Sequence, residues 1–346
     1  MHHFQVKPLK QDSLAELQRN IDQKTKPLGA LGQLEALALQ IALIQQAEKL
    51  LIEKPLMLVF AGDHGIAEEG VSIAPSAVTR QMVQNFLAGG AAINCFCRAN
   101  HLPLKVIDAG IQTEITPTPD NLIVQRIAAG TQNFSRQAAM TRAQAEQAIL
   151  LGADLARREI AAGSNLLAFG EMGIGNSSSA AAILAALSRA PVETCVGLGT
   201  GINREQLEKK IALVKRGLAR LDKEAADDPI AILAEVGGFE IAQICGAMLA
   251  TAEAGKIIVV DGFIVTAAAL LSASIQPHAR AYMIFAHQSE EAGHQLMLQM
   301  LKAKPLLHLG LRLGEGTGAA LALPIIKAAV SFYNDMATFA SAGVTV

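Results

Sequence analysis

The sequence is poor in cysteine, in runs of one charge sign and in uninterrupted apolar stretches, and each shortage excludes a class of protein. Its four cysteines include one C-x-C pair but no C-x-x-C and no zinc-finger spacing, which is typical of buried thiols in a reducing compartment. Lys and Arg number 29 against 31 Asp and Glu, without a long run of either sign, so no basic surface for nucleic acid is indicated. We therefore expect small-molecule chemistry.

The sequence also lacks an obvious targeting signal or membrane-spanning segment. Residues 1–7 do not form the apolar core of a signal peptide. The most apolar window, residues 257–275, is interrupted by Asp261 and Gly262, which favours a buried strand followed by a helix over a membrane span. We expect a cytoplasmic protein.

Several familiar catalytic and cofactor-binding motifs are missing as well. The glycines of residues 170–175 are not followed by the Lys of a Walker loop, and no G-x-G-x-x-G dinucleotide fingerprint follows the first predicted strand. His64, His287, His294 and His308 lack the spacing of metal ligands, and no serine lies in a G-x-S-x-G elbow. The histidines are therefore interpreted as structural or hydrogen-bonding residues, and a dehydrogenase or a serine hydrolase is disfavoured.

What the sequence does contain is a large apolar core with a regular alternation of elements. The chain has 346 residues, 51% of them hydrophobic, and a mean hydropathy of +0.33. Short apolar runs alternate with helical segments, which predicts an α/β fold with a parallel sheet covered by helices on both faces. The six predicted strands are residues 56–60, 104–108, 165–169, 194–197, 256–261 and 281–285.

The two ends of the chain have a helical pattern instead. Residues from about 13 to 51 have helical apolar spacing, broken at 26–32 by Pro27 and two glycines. Two further helices are predicted at about 319–330 and 331–340. We expect residues 1–54 and 316–346 to form a small helical domain beside a large α/β domain at 55–315.

Glycine-rich loops with acids and hydroxyls follow the predicted strands, where ligands bind in parallel sheets. After the third strand, a G-x-G sequence leads into Asn176 and three serines before an alanine-rich helix. Free N–H groups at such a helix start can bind a phosphate, although a simple Gly-Ser cap has the same pattern. Gly199-Thr200-Gly201 offers a second cradle, with Lys209-Lys210 as a nearby cation.

Glu315 is the most unusual of the carboxylates, because glycines 314, 316 and 318 surround it. It is either a helix-capping residue on a surface turn or a general base that no bulky neighbour shields from a ligand. Phosphate cradles combined with isolated carboxylates, chiefly Glu315, Glu171 and Asp261, suit a displacement at a phosphorylated sugar assisted by one base.

The order of these motifs resembles the nicotinate-nucleotide:5,6-dimethylbenzimidazole phosphoribosyltransferases, which activate the lower axial base of cobalamin. The resemblance covers nearly the whole chain in one order, which makes it specific. The matching segments are residues 26–35, 62–65, 69–72, 75, 78–79, 89–94, 170–178, 199–201, 237–240, 260–263, 286–289 and 312–320.

This resemblance implies a homodimer with a Rossmann-like large domain and a small helical domain from both chain ends. The implied reaction moves 5-phosphoribose from nicotinate mononucleotide to 5,6-dimethylbenzimidazole, giving α-ribazole 5′-phosphate and nicotinate without a cofactor or metal. Glu315 matches the general base and Glu171 a second acid beside the ribose. The implied phosphate and ribose positions are Gly173, Asn176, Ser177, Gly199, Lys210, Asp261 and Ser289, and the implied acceptor pocket contains Ala74, Met82, Met172 and Leu313.

The acceptor pocket departs from the family pattern in three places. Some members have polar residues where Ala74 and Met82 stand, and a Leu where Met172 stands. Ala and Met make the pocket less polar and more adaptable. Dimethylbenzimidazole, another benzimidazole, adenine and phenol therefore stay open as acceptors, and a non-catalytic nucleotide-binding subunit that needs a partner is the alternative from another class.

Overall fold

The computed structural model describes residues 3–199, 201–222 and 224–345. Its strands are β1 (Leu56–Gly62), β2 (Leu104–Gly110), β3 (Leu122–Val124), β4 (Leu166–Met172), β5 (Ile257–Val260) and β6 (Met283–Phe285). Its helices are α1 (Leu14–Asp22), α2 (Gln33–Gln45), α3 (Ala77–Ala88), α4 (Ala92–Ala99), α5 (Arg142–Ala161), α6 (Asn176–Ser188), α7 (Val192–Cys195), α8 (Arg204–Leu218), α9 (Pro229–Val236), α10 (Phe239–Glu253), α11 (Phe263–Ile275), α12 (His294–Met300), α13 (Thr317–Asp335) and α14 (Phe339–Ala342).

The strands of the described residues form one parallel sheet in the order β3-β2-β1-β4-β5-β6. The strands are added outward from β1 in one direction and from β4 in the other. Because crossovers between parallel strands are right-handed, this order puts helices on both faces of the sheet. This Rossmann-like order confirms the predicted fold class. It also makes the gap between β1 and β4 the topological switch point, where the carboxyl ends of strands leave a crevice for ligands.

Burial on both faces explains why the central strands are apolar along their whole length. Every residue of β1 is buried, including the sequence Leu-Met-Leu-Val-Phe. One covering layer contains α5 and α10, which cross at Gly152 and Gly246. A Cβ at either glycine would lie 1.8 Å from a carbonyl oxygen of the facing helix, so the backbones touch directly.

The predicted strand at 194–197 is wrong, because that segment begins as helix α7. Pro191 precedes the helix, its fixed φ suits a helix start, and its carbonyl accepts the Thr194 N–H at 3.0 Å. The sheet instead gains β3, an edge strand of three residues that the prediction missed. Val124 in this strand is exposed, so the segment lacks the continuous apolar signal of the other strands.

The predicted division of the last helical region at residue 330 is also wrong, since α13 continues to Asp335. Its buried stripe includes Ile326, Val330 and Tyr333, so the same face packs across the expected boundary. At the other end of the chain, α1 and α2 confirm two helices separated by the break around Pro27. Among the described residues, no helix has the combination of length and apolar character needed to cross a membrane.

The two ends of the chain meet beside the sheet. Thr25 N–H donates to Ala337 O at 2.9 Å, Phe339 N–H donates to Gln23 O at 3.0 Å, and α2 packs against α13. The first residues extend further, because Tyr282 Oη donates to Lys7 O at 2.9 Å near β6. The division of the chain into a helical domain (1–54 and 316–346) and an α/β domain (55–315) stays a prediction.

Candidate active site

A cleft of about 600 Å³ opens beyond the carboxyl ends of β4, β5 and β6. Most of the predicted site residues line it, although they come from distant parts of the chain. Lys210 lies just behind its wall, Ala74 is not among its lining residues, and Thr200 lies outside the described residues. The predicted residues that line the cleft are Met82, Glu171, Met172, Gly173, Asn176, Ser177, Gly199, Asp261, Ser289, Leu313 and Glu315.

Glu315 lies in the cleft on a turn with left-handed backbone geometry. Its φ is +63°, between Gly314 at +84° and Gly316 at +89°, so a non-glycine residue is held in a conformation that is uncommon for it. The side chain is 5% exposed, and Oε2 accepts the Ile93 N–H from the first turn of α4 at 3.3 Å. Glu315 is therefore not an exposed capping residue on a surface turn.

The turn that carries Glu315 packs tightly against β4. A Cβ at Gly170 would lie 2.3 Å from Glu315 O, and a Cβ at Gly314 would lie 2.2 Å from Glu171 Oε1. Side chains at these two positions would push the turn off the strand. The glycines thus bring the two predicted catalytic carboxyl groups next to each other at the end of the sheet.

Burial governs the charge of these acids. It raises the pKa of Glu171 to about 8, and the negative fields of Glu240, Asp261 and Glu315 act in the same direction, while an amide hydrogen bond from Asn176 opposes them. Burial likewise raises the pKa of Glu315, with the Ile93 N–H opposing and Asp261 adding to the shift. Near neutral pH, Glu171 is thus a protonated hydrogen-bond donor beside a second acid.

Asp261, predicted to bind the substrate, lines the cleft but has backbone partners. Its carboxylate accepts Gly316 N–H at 3.2 Å and Ala319 N–H at 2.9 Å, at the start of α13. These contacts satisfy N–H groups that a helix start leaves free. Asp261 therefore fixes the helix start directly after Glu315, which is the capping role that the sequence had offered as one interpretation of Glu315.

The other end of the cleft is built around the first turn of α6 and a buried lysine. Lys210 is fully buried, and its Nζ donates to Ser177 Oγ at 2.9 Å and to Gly197 O at 3.2 Å. Burial lowers the pKa of Lys210 to about 8. A Cβ at Gly199 would lie 2.9 Å from Ser177 Oγ, so the glycine leaves this group of donors uncovered. Hydroxyl, ammonium and helix N–H groups together suit a phosphate.

Among the cleft-lining residues that sequence reasoning missed, three have titratable side chains: His287, Glu291 and Arg312. Glu291 and His287 follow β6 closely, so their position after a strand was the available signal. Burial raises the pKa of Glu291, opposed by Lys210, the Gly199 N–H and Arg312. Both ring nitrogens of His287 are buried without a hydrogen bond, and Nε2 lies 3.7 Å from Asp261 Oδ1.

The other histidines near the sheet have hydrogen-bond partners. His64 Nε2 lies 2.6 Å from Glu240 Oε1, and its Nδ1 lies 3.0 Å from Ser179 Oγ. His294 Nδ1 accepts the Ser289 N–H at 2.8 Å, which leaves the proton of the neutral ring on Nε2. Burial lowers the pKa of His294 to about 3, so this ring is neutral at physiological pH. Within the described residues, no group of three or more His, Cys, Asp or Glu side chains could hold a metal ion.

Comparison with known proteins gives one consistent result. A family model described as phosphoribosyltransferase matches residues 6–344. Proteins named nicotinate-nucleotide–dimethylbenzimidazole phosphoribosyltransferase are 61% identical in Photobacterium profundum, over 95% of this chain and 96% of the relative, and 59% identical in Shewanella sp. (strain ANA-3), over 99% and 97%. The solved structure of CobT from Thermus thermophilus superimposes with a TM-score of 0.93 at 46% identity, over 96% of this chain and 99% of that one.

Proposed function

The chain belongs to the family of nicotinate-nucleotide–dimethylbenzimidazole phosphoribosyltransferases, and on that basis we propose how its cleft performs the transfer. The reaction moves 5-phosphoribose from nicotinate mononucleotide to 5,6-dimethylbenzimidazole, with α-ribazole 5′-phosphate and nicotinate as products, in cobalamin assembly. One observation supports this assignment of roles. Glu315 and Glu171 lie together at one end of the cleft, and the other end, the phosphate cradle, is formed by Ser177, Lys210 and the first turn of α6.

The two substrates differ in what they need from the protein. The leaving group of nicotinate mononucleotide is a pyridinium ring, so breaking its bond to C1′ neutralises the ring and requires no proton donor. The attacking azole has the opposite problem, because the product ring must lose the N–H proton of the free base. In-line attack on the β-nucleotide inverts C1′ and gives an α-riboside.

Glu315 takes that proton in the proposed mechanism. A base works best when its pKa lies near the working pH, and burial moves the Glu315 pKa upward from the ordinary carboxyl range. The same carboxylate stabilises the positive charge that develops on the attacking ring. The strained left-handed turn and the tight contact with Gly170 hold the carboxylate in place before the substrate arrives.

Glu171 and the phosphate cradle position the nucleotide. Because Glu171 is protonated near neutral pH, it donates a hydrogen bond to a ribose hydroxyl rather than placing a second negative charge beside Glu315. Ser177, Lys210 and Ser289 bind the phosphate, together with the free N–H groups at the start of α6. Asn176 contacts Glu171 and the next residue, Ser177, contacts Lys210. These two residues therefore connect the acidic end of the cleft with its phosphate-binding end.

The acceptor lies against the apolar side of the cleft in this proposal. Met82, Met172 and Leu313 line it, and unbranched Met side chains adapt to rings of different outline. The pocket therefore also suits another benzimidazole, adenine or phenol as alternative acceptors. Turnover with each acceptor separates these cases, and faster use of adenine or phenol than of dimethylbenzimidazole would replace the assigned acceptor.

The direct test incubates the purified chain with nicotinate mononucleotide and dimethylbenzimidazole in the presence of a metal chelator. Mass spectrometry should detect nicotinate and the riboside phosphate in equal amounts. If the nucleotide binds but no acceptor reacts, the chain is a nucleotide-binding subunit that needs a partner. The intact acids and glycine loops favour the enzyme over that alternative.

The proposal includes a cytoplasmic homodimer with a helical domain (residues 1–54 and 316–346) beside the α/β domain. Large exposed apolar side chains, among them Leu28 at 77% and Ile73 at 64%, support burial against a second copy. Sedimentation equilibrium should give twice the chain mass of 36.3 kDa. A monomer that is fully active would overturn the homodimer.

A further inference from the structure

Glu291 is a half-buried acid at the end of the cleft that the proposed function assigns to phosphate. It lines the cleft together with Ser177, Gly199 and Ser289, and its Oε2 is buried without a hydrogen-bond partner. Its own backbone N–H donates to Ser289 Oγ at 3.3 Å, so it belongs to the same small cluster. An acid in this place is unexpected, because a phosphate monoester carries about 1.5 to 2 negative charges at neutral pH.

The surrounding positive groups are too few to neutralise both anions. The charged groups whose fields reach Glu291 are Lys210 on α8 and Arg312 in the loop before Glu315. Lys210 Nζ already donates to Ser177 Oγ and Gly197 O, and Arg312 is exposed, with Nη1 3.4 Å from Gly199 O. The backbone N–H of Gly199 donates to Glu291 as well. A dianionic phosphate beside an ionised Glu291 would therefore leave excess negative charge in a half-buried site.

One shared proton removes this conflict. A carboxylic acid donates one O–H and a carboxylate accepts, while a phosphate monoanion donates its P–OH. Either protonated Glu291 donates to the phosphate dianion, or the phosphate monoanion donates to ionised Glu291. Both arrangements give Glu291 Oε2 the hydrogen-bond partner that it lacks. Hydrogen bonds of this kind between oxygen acids are short and strong.

We propose that Glu291 and the substrate phosphate hold one proton between them, so that the nucleotide binds with uptake of a proton from solvent. The inference rests on the proposed function, which places the phosphate in this cradle. Glu291 is then a specificity-determining residue: it favours a phosphate that can share a proton and weakens binding of the nucleotide as the pH rises. The uptake approaches one proton where free Glu291 and free phosphate are both ionised.

The experiment measures proton uptake by titration calorimetry of nicotinate mononucleotide into the full chain at pH 7, in buffers with different heats of ionisation. The wild type should take up a measurable fraction of a proton, set by the share of the free protein in which Glu291 is ionised. Lys210, with its pKa near 8, is mostly charged at this pH and adds only about a tenth of a proton. Nicotinate riboside, which lacks the phosphate, should bind without this uptake.

Two variants make the assignment to Glu291 specific. Glu291→Gln supplies an amide donor at every pH, so its proton uptake at pH 7 should fall close to zero. Its nucleotide Kd should rise less steeply with pH than that of the wild type, and the rise that remains near pH 8 follows the ionisation of Lys210 and Glu171. Wild-type Kd should rise up to about tenfold per pH unit in the upper part of the range from about pH 6 to 9. Glu290→Gln is the matched control, because Glu290 is exposed, pairs with His308 at 3.1 Å and should behave as the wild type.

The outcomes separate the inference from the function on which it rests. Uptake that persists in Glu291→Gln, or a wild type that binds and turns over the nucleotide without uptake, overturns the inference and leaves the function standing. A wild type that binds neither nicotinate mononucleotide nor inorganic phosphate contradicts the phosphate cradle and this inference together.

Discussion

At the scale of single residues, the account depends most on the carboxylate of Glu315. Replacing Glu315 with Gln keeps the size of the side chain and the contact with Ile93 N–H but removes the base. We expect kcat to fall about 10²- to 10⁴-fold, with normal folding and nucleotide binding. Steady-state kinetics with thermal unfolding as the folding control checks this, and a loss of only a few-fold would make Glu315 a structural loop residue.

Replacing Lys210 is expected to change KM for the nucleotide rather than kcat. Lys210→Ala removes a charged donor that, in the proposed function, contacts the phosphate equally in the ground state and the transition state. KM for the nucleotide should rise about 10- to 100-fold while kcat changes little. The neighbouring Lys209 is exposed, so Lys209→Ala should leave both constants unchanged. An effect of Lys210→Ala on kcat alone would contradict the role.

Glu171 should make the stability of the free protein depend on pH in a defined direction. Its folded-state pKa, about 8, lies above the ordinary value of 4.5, so the folded protein binds a proton that the unfolded chain releases between these values. Stability contributed by this group therefore falls as pH rises through that window and stays level above it.

The variant Glu171→Gln cannot ionise and should escape this loss. Relative to the wild type, its free energy of unfolding should increase from pH 5 to pH 8 by up to about 1.4 kcal/mol per pH unit and then level off. Urea unfolding at several pH values measures the difference. A difference that is independent of pH would show that Glu171 ionises normally.

At the scale of elements, the contact between β4 and the turn before α13 holds Glu315, the proposed base, at the end of the sheet. Gly170→Ala would place a methyl group 2.3 Å from Glu315 O. We expect the free energy of unfolding to fall by about 1–3 kcal/mol and kcat to fall with it, because the turn must shift.

A matched control separates strain from displacement of the site. Gly255 has a φ of +66° and open space around it, between α10 and the amino end of β5. Gly255→Ala should cost stability through backbone strain but leave kcat unchanged. If Gly170→Ala were equally harmless to kcat, the glycine contact would not position Glu315.

The elements differ in how much the sequence could reveal. A long apolar run such as β1 can be recognised as a strand from the sequence, because a strand buried on both faces does not alternate between apolar and polar residues. The segment at 194–197 has similar composition but follows Pro191, and the local hydrogen bonds of α7 prevail in so short a stretch. β3 is detectable only through its pairing with β2, since three residues at a sheet edge have too weak a pattern.

The candidate site could likewise be predicted only in part from the sequence. Glu315 and the loop after β4 stand out in the sequence because glycines surround their polar residues. Glu291 does not, because its significance arises from Lys210 and Gly199, which are distant in the chain and meet it only in the fold. The capping role of Asp261 likewise depends on a contact with α13 that no local pattern indicates.

At the scale of the whole molecule, one parallel sheet brings distant segments of the chain to a single cleft. Loops after β4, β5 and β6 line the cleft with the residues proposed to contact phosphate and ribose, and the turn before α13 adds Glu315, the proposed base. The arrangement predicts a single displacement in which nucleotide and acceptor lie on opposite sides of C1′. It requires no covalent intermediate and no metal.

The most direct test of this account is the anomeric configuration of the riboside phosphate, determined by NMR from a reaction run with a chelator. Single in-line displacement converts the β-nucleotide entirely into the α-riboside, at a rate that the chelator does not change. A β-configured or mixed product would contradict a single displacement at this cleft, and abolition by the chelator would contradict a metal-independent reaction.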